Sequence, residues 1–162
     1  MLIYLFVIIP GVMGITGDTS WPEPRTKSKD DYEAQKRAMQ FYLGWFMHPI
    51  YSKTGNYPKI MIDRIGEMSK IQGFTKSRLP SFTADEIKMI RNTSDFFGIN
   101  SYTSILVTSN DKKNSAKYPV PSFLHDMGTV ESQDASWPGS GSVWLKVSIR
   151  NNNFRMMFRN VV

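Results

Sequence analysis

The segment at positions 96–103 constrains the fold of this chain most, because it begins apolar and ends polar. Phe97 and Ile99 favour a β-strand. Asn100 and Tyr102, near the end of the segment, carry side chains that can bind a ligand. Strands of α/β barrels have this character where they deliver side chains to a site at their carboxyl ends. The pattern therefore predicts a strand that presents Asn100 and Tyr102 to a site.

Helical periodicity predicts two longer helices before this strand. Residues 28–47 place aromatic and apolar side chains at helical spacings and acidic side chains in the first turn. A second helix is predicted to begin near Pro58, whose fixed φ suits the first helical position, and to end at Gly73. The apolar face of this second helix contains Met61, Ile65 and Met68.

A shorter third helix and a long loop complete the predicted order of elements. Thr83 and Glu86 have the spacing of a capping box, and Asn92 is predicted to end the helix that they begin. Residues 109–141 are rich in Ser, Asn, Gly and Pro and show little periodicity, which predicts a loop. The order strand, helices, strand and long loop indicates an α/β fold.

The apolar run at positions 2–9 has two interpretations. It is too short to cross a bilayer, which takes about 20 residues, so no membrane span is predicted. It has the apolar character of a secretory signal, but no Lys or Arg precedes it. The alternative is a buried strand of a parallel sheet, because Tyr4, Phe6 and Val7 favour strands and no polar residue alternates with them.

Composition excludes several classes of function. The net charge is +6, but the basic residues are spread from Arg25 to Arg159, which predicts a solvated surface and no nucleic-acid partner. The chain has no cysteine, which excludes disulfides, thiolate zinc sites and cysteine nucleophiles. His48 and His125 lie far apart in the sequence without acidic residues at ligand spacing, so no metal site is expected.

Two short motifs carry only weak functional signals. Glu23 stands between two prolines, and no partner carboxylate for a glycosidase pair is visible, so a surface turn residue is predicted there. Asn92 is followed by Thr93 and Ser94, which makes it a formal acceptor for N-linked glycosylation. That motif matters only in a secreted chain, and it is common by chance.

Residues 41–51, which read Phe-Tyr-Leu-Gly-Trp-Phe-Met-His-Pro-Ile-Tyr, closely resemble the family 1 glycoside hydrolases, which include β-glucosidases, lactases and myrosinases. Other segments resemble the same family in the family's order, and together they cover about residues 12–147. These segments are Gly-Ile at 14–15, Asp-Thr-Ser-Trp-Pro-Glu-Pro at 18–24, Gly-Asn-Tyr-Pro at 55–58, Ser-Arg-Leu-Pro at 77–80, Phe-Thr at 82–83, Asp-Phe-Phe-Gly-Ile-Asn-Ser-Tyr-Thr at 95–103, Ser-Trp-Pro-Gly-Ser at 136–140 and Trp-Leu-Lys-Val at 144–147.

The resemblance implies the middle third of a (β/α)8 TIM barrel, retaining hydrolysis of β-glycosides and a secreted or extracellular location. In the family's order, residues 11–15 correspond to the fifth strand and residues 95–102 to the sixth. The chain from Trp144 onward corresponds to the helix that leads to the seventh strand. The implied divisions are an unmatched apolar segment at 1–10, a partial glycosidase domain at 11–147 and a divergent tail at 148–162.

The resemblance also implies three site residues. Tyr102 matches the family tyrosine that hydrogen-bonds the nucleophile, and Asn100 matches the asparagine that lines the glycone subsite. Trp137 resembles the tryptophan that stacks on the aglycone, with a loop-anchoring aromatic as the alternative. The family's Asn-Glu-Pro and Glu-Asn-Gly motifs, which carry its acid and nucleophile, are absent, and Glu23 falls in a different family segment. No cofactor is expected, because this chemistry needs only carboxylates.

The loss of resemblance at both ends leads us to expect a shortened reading frame. So few strands cannot close a barrel, and self-association through exposed sheet edges is therefore expected. We expect no hydrolysis by the chain alone, whereas its longer parent would act on a β-glycoside. The alternative is a non-catalytic sugar-binding or interaction chain that uses Trp137 and Tyr102.

Overall fold

The computed structural model describes residues 11–110 and 120–148, and the expectations for residues 2–9 and for the tail from 149 onward lie outside this range. Strands and helices alternate along the chain, as the α/β prediction requires. The strands are β1 (Gly14–Asp18), β2 (Trp21–Pro24), β3 (Phe96–Asn100), β4 (Ser104–Ser109) and β5 (Thr129–Ser132). The helices are α1 (Lys29–Met39), a π-helix (Gln40–Gly44), α2 (Trp45–Tyr51), α3 (Lys59–Ile71), α4 (Ala84–Ile90) and α5 (Phe123–Met127).

The strands form two small sheets. β1 and β3 pair in parallel, from Gly14 opposite Phe96 to Asp18 opposite Asn100. β2 pairs in parallel with β4, and β4 pairs antiparallel with β5. Both strands of the first sheet continue into the second sheet, because β2 follows β1 and β4 follows β3 in the sequence.

The strand predicted over residues 96–103 ends earlier in the structure, so the predicted end is wrong. β3 stops at Asn100, and the next strand, β4, begins at Ser104 in the other sheet. The reason is a break in the strand over residues 101–103, here called the bend, after which the backbone pairs with β2 instead of β1. Hydrophobic periodicity does not separate β3 from β4, because it does not indicate which partner strand each of them pairs with.

β2 was not predicted, because its sequence contains two prolines. In the described part of the chain it pairs only with β4, so it is an edge strand. Edge strands tolerate proline, since a missing N–H on the free side costs no ladder hydrogen bond. Glu23 is consequently a buried strand residue with 7% exposure, which corrects the surface turn predicted for it.

The first predicted helix forms and runs further than residue 47. Ser28 caps it by accepting a hydrogen bond from the backbone N–H of Asp31 at 3.1 Å, and helical backbone continues to Tyr51 with Pro49 inside the last segment. The π-helix separates its two α-helical parts. The additional turn, residues 48–51, buries Pro49, and this packing favours continuing the helix past the predicted end.

Two hydrophobic clusters pack this helix against both sheets. The first joins it to α3, β4 and α5, and the second joins it to β1 and β3. The buried members of the first are Ala34, Ala38, Phe41, Met61, Ile65, Leu79, Ile105, Val107 and Met127. The buried members of the second are Met39, Leu43 and Met47, with Ile15, Phe97 and Ile99 packed against them.

α3 and α4 agree closely with the sequence. Met61, Ile65 and Met68 are all buried on one face of α3, as predicted. Pro58 is the N-cap of α3 and not its first helical residue, a shift of one position. The capping box of Thr83 and Glu86 is present at the start of α4.

Residues 109–141 were predicted as a loop, and the structure corrects this in part. α5 and β5 both lie inside that range, where short elements leave too little periodicity to detect. The predicted helix from Trp144 onward is absent over residues 144–148, which form a turn followed by a bridge between Gly139 and Lys146. Within the described residues, none of the helices is both long and apolar enough to cross a membrane.

Candidate functional site

The carboxyl ends of β1 and β3 lie side by side at the bend where both segments leave the first sheet. The backbone N–H of Thr19 donates to the carbonyl of Asn100 at 2.9 Å. Two residues further on, the N–H of Trp21 donates to the carbonyl of Thr103 at 2.8 Å. The bend is thus fixed by backbone hydrogen bonds on both sides, and the ends of parallel strands are where α/β folds place their sites.

Asn100 and Tyr102, the two residues predicted from the strand pattern, both lie at this bend and are exposed. The phenol oxygen of Tyr102 is 3.4 Å from the Oδ1 atom of Asn100, and the Tyr102 side chain is 61% exposed. The amide and the phenol therefore stand close together on an open surface. They offer hydrogen-bond donors and acceptors to a polar ligand.

Asp18 belongs to the same surface, and sequence reasoning did not single it out. It is the register partner of Asn100, and it is exposed at the end of β1. Alternate residues of a strand face the same way, and Ile15 packs on the helix, so Asp18 faces away from the helix with Gly14 and Thr16. The sequence contains one local signal for it, because Asp18 is followed by the hydroxyl residue Thr19 as Asn100 is followed by Ser101.

Thr103 joins the bend to the chain at residues 144–148. Its Oγ1 atom lies 2.8 Å from the carbonyl oxygen of Lys146 and accepts from the Lys146 N–H at 3.2 Å. The Nε2 atom of Gln133 donates to the same Oγ1 atom at 3.1 Å and to the carbonyl of Trp144 at 2.8 Å. This network, in which Thr103 is the common partner, fixes the residue next to Tyr102.

Trp137 lies in a loop that backbone hydrogen bonding links to the neighbourhood of the bend. Its neighbour Pro138 accepts from the N–H of Val147 at 3.4 Å, which connects the Trp137 loop to the segment held by Thr103. The Trp137 side chain itself is 8% exposed. Little of the ring is thus open for stacking on a ligand within the described structure.

The histidines are engaged with backbone groups away from the bend. The Nδ1 atom of His48 is 2.6 Å from the carbonyl oxygen of Asn56, and the Nδ1 atom of His125 is 3.4 Å from that of Val120. Among the described residues, His, Asp and Glu side chains form no group of three or more that could hold a metal ion.

The clear pKa shifts fall on other parts of the fold. Burial, a hydrogen bond to Glu131 and the charge of Glu131 all raise the pKa of Tyr42, whose hydroxyl donates to Glu131 Oε1 at 2.7 Å. Burial, with a smaller effect of Glu86, raises the pKa of Tyr57. Hydrogen bonds from Thr83 lower the pKa of Glu86, which forms the capping box of α4. These shifts belong to packing and capping.

Parallel strands with polar carboxyl ends, covered on one face by helices, are the arrangement expected of a segment of a (β/α)8 barrel. A rice β-glucosidase structure superposes with a TM-score of 0.68 at 35% sequence identity, and covers 84% of this chain and 27% of the rice chain. An aphid myrosinase structure superposes with a TM-score of 0.63 at 38% identity, and covers 80% of this chain and 26% of that one.

Sequence comparison gives the family directly. The profile of glycosyl hydrolase family 1 matches residues 4–160. Human lactase/phlorizin hydrolase is 44% identical over 139 residues, which are 85% of this chain and 7% of that protein. Myrosinase 1 of Brevicoryne brassicae is 43% identical over 111 residues, which are 68% of this chain and 22% of that protein. The chain belongs to glycosyl hydrolase family 1, which confirms the resemblance in its sequence, and it spans only a minor part of these relatives.

Proposed function

We propose that this chain supplies two adjacent strands of a retaining β-glycosidase and lines its sugar-binding site with Asn100, Tyr102 and Asp18. The observation that supports this proposal is the pairing of Asp18 with Asn100 at the carboxyl ends of β1 and β3. Tyr102 stands next to them with its hydroxyl 3.4 Å from Asn100 Oδ1. The three side chains form one exposed polar surface at the end of a barrel where glycosidases bind sugar.

Each side chain has a role that fits its chemistry. The carboxamide of Asn100 both donates and accepts, and the carboxylate of Asp18 accepts, so together they suit the hydroxyl groups of a sugar ring. The Tyr102 phenol donates a hydrogen bond to a catalytic carboxylate contributed by the rest of the enzyme. A donor at that place favours the charged form of the carboxylate, which is the form that attacks the anomeric carbon.

Hydrolysis itself requires parts that this sequence does not contain. A retaining glycosidase uses two carboxyl groups about 5–5.5 Å apart, one as acid and one as nucleophile. The family motifs that carry both are absent from the 162 residues. We therefore propose that the chain alone does not hydrolyse glycosides, and that release of nitrophenol from p-nitrophenyl β-glucoside stays at the buffer rate.

The proposal is tested in a chimera in which residues 11–147 replace the corresponding segment of the rice β-glucosidase. The chimera is expected to hydrolyse p-nitrophenyl β-glucoside, and Tyr102→Phe is expected to lower its kcat by roughly 10- to 100-fold, the value of one hydrogen bond to a charged group. Loss of the phenol also raises the pKa of the nucleophile, so the acidic limb of the pH profile moves to higher pH.

The matched control is Tyr32→Phe, which makes the same change at an exposed position on α1. It is expected to leave kcat and the pH profile unchanged. A folded chimera without activity, or equal effects of the two substitutions, contradicts the proposed role of Tyr102. Circular dichroism of the purified chimera establishes that it is folded.

A further inference from the structure

The glycosylation motif at Asn92 occupies an exposed turn between α4 and β3. Asn92 has a positive φ of 60°, which is the left-handed conformation that Asn tolerates better than most residues. Its backbone is held in this turn, because the N–H of Asn92 donates to the carbonyl of Ile50 at 2.8 Å. Asn92 and Thr93 are both exposed, and the turn therefore presents the side chain of Asn92 outward on a fixed backbone.

The carboxamide of Asn92 is not used by the fold. Among the residues that the structure describes, its side chain makes no hydrogen bond, whereas both of its hydroxyl neighbours do. Thr93 Oγ1 donates to the carbonyl of Ile90 at 2.7 Å, and Ser94 Oγ lies 2.6 Å from the hydroxyl of Tyr51. An attached group on the Nδ2 atom of Asn92 would thus break no hydrogen bond of the described structure.

The position of Asn92 also separates it from the candidate site. Asn92 precedes the amino end of β3, and the site lies at the carboxyl end of the same strand. A parallel strand rises about 3.3 Å per residue, so the five residues from Phe96 to Asn100 span roughly 13 Å. A bulky group at Asn92 projects from the opposite end of the barrel segment and leaves Asn100 and Tyr102 accessible.

We propose that Asn92 carries an N-linked oligosaccharide when this chain passes through the secretory pathway. The donor is an oligosaccharide joined to a lipid through a pyrophosphate. A bond forms between Asn92 Nδ2 and the first sugar carbon, the bond from that carbon to the pyrophosphate oxygen breaks, and the amide loses one proton. The lipid pyrophosphate leaves as an anion. This modification is independent of any hydrolytic function of the chain.

The test is translation of the full 162-residue chain behind a cleavable signal sequence in the presence of microsomes. One mobility shift that peptide N-glycosidase removes is expected. Asn92→Gln and Ser94→Ala are both expected to abolish the shift, because the first removes the acceptor nitrogen and the second removes the hydroxyl that the motif requires. Ser94→Thr keeps the motif and is expected to keep the shift.

Asn110→Gln is the matched control, because it makes the same change outside a glycosylation motif, and the shift is expected to persist in it. The proposal is overturned by the absence of a shift in the unsubstituted chain, or by a shift that survives Asn92→Gln. Since transfer occurs on the nascent chain, a defect in folding of either variant does not affect the result.

Discussion

Asp31 is a buried charged residue that links two distant segments of the fold, because it is 4% exposed and accepts several hydrogen bonds. Its Oδ2 atom accepts from the hydroxyl of Thr26 at 2.6 Å and from the N–H of Thr26 at 3.0 Å. Its Oδ1 atom accepts from the N–H of Ser109 at 2.9 Å. Asp31 therefore links the start of α1 to the end of β4, over 78 residues of sequence.

The pKa of Asp31 predicts a loss of stability in acid. Burial acts to raise the pKa, but the hydrogen bonds from Thr26, Ser109 and Ser28 together outweigh it and hold the pKa below its usual value. A lowered pKa in the folded state gives stability that is present above the unfolded pKa of about 3.9 and is lost as the pH falls through the folded pKa. Asp31→Asn is expected to lower the free energy of unfolding at pH 7 by about 1.5–3 kcal/mol and to remove this part of the acid dependence.

Urea denaturation between pH 7 and pH 2 measures both effects. Asp30→Asn is the control, since Asp30 neighbours Asp31 but is exposed, and a change of about 0.3–1 kcal/mol from the helix dipole is expected there. Equal effects of the two substitutions, or an unchanged acid dependence in Asp31→Asn, contradicts the assignment.

α5 is an element that arginines from other parts of the chain hold in place. Arg37 on α1 donates to the carbonyls of Met127 and Gly128, and Arg64 on α3 donates to the carbonyl of Asp126 at 2.8 Å. Arg78 forms a bidentate pair with the Asp126 carboxylate, at 2.9 Å for one contact, and this pair is largely buried. A helix of five residues is too short to be stable alone, so these contacts hold α5 in position.

The Arg78–Asp126 pair gives a prediction at this scale. Asp126→Ala leaves the buried guanidinium of Arg78 without its partner and is expected to lower the free energy of unfolding by about 3–5 kcal/mol. Adding Arg78→Met is expected to restore part of that loss, because the unpaired charge is then gone. Urea denaturation of the single and double variants measures both values.

The exposed pair of Lys59 and Asp63, one turn apart on α3, is the control for this prediction. Its Nζ–Oδ2 distance is 2.7 Å, but both side chains are solvent-exposed, so Asp63→Ala is expected to cost less than about 1 kcal/mol. A cost for Asp126→Ala no larger than that for Asp63→Ala shows that the buried pair does not hold α5.

At the scale of the whole molecule, the described strands leave sheet edges open. β1 and β3 pair only with each other among the described residues, so each has one free edge. A cavity of about 320 Å³ lies beside β1, and its apolar walls include Ile15, Leu43, Phe46 and Met47. In a closed barrel each strand has a neighbour on both sides, and an open edge next to an apolar cavity is a site for association.

We therefore expect the purified chain to form oligomers that increase with protein concentration, as measured by sedimentation velocity. Phe46→Lys is expected to lower the associated fraction, because Phe46 is 59% exposed and lines this cavity. Met89→Lys makes the same kind of change at an exposed residue of α4 and is expected to have no effect. A chain that stays monomeric at every concentration, or equal effects of the two substitutions, argues against association at this edge.

Local features were the ones that the sequence could predict. The capping box of Thr83 and Glu86, the buried face of Met61 and Ile65, and the polar end of the strand at Asn100 each depend on residues close together in the chain. Their signals are side-chain spacing and end chemistry, which are readable without knowledge of a partner. The family resemblance depended on the same kind of short motif, and the comparisons confirmed it.

Only the tertiary structure decided which distant segments meet. The sequence did not indicate that Asp18 lies opposite Asn100, since 82 residues separate them and strand pairing leaves no periodic signal. It also did not predict β2, where prolines are tolerated at an edge, or the burial of Glu23. The sequence by itself determined the positions of the longer helices, the capping box of α4 and the polar end of β3, because local hydrogen bonds and periodicity specify them. The assembly of the site from β1 and β3 depends on non-local backbone pairing, which appears only when the chain is folded.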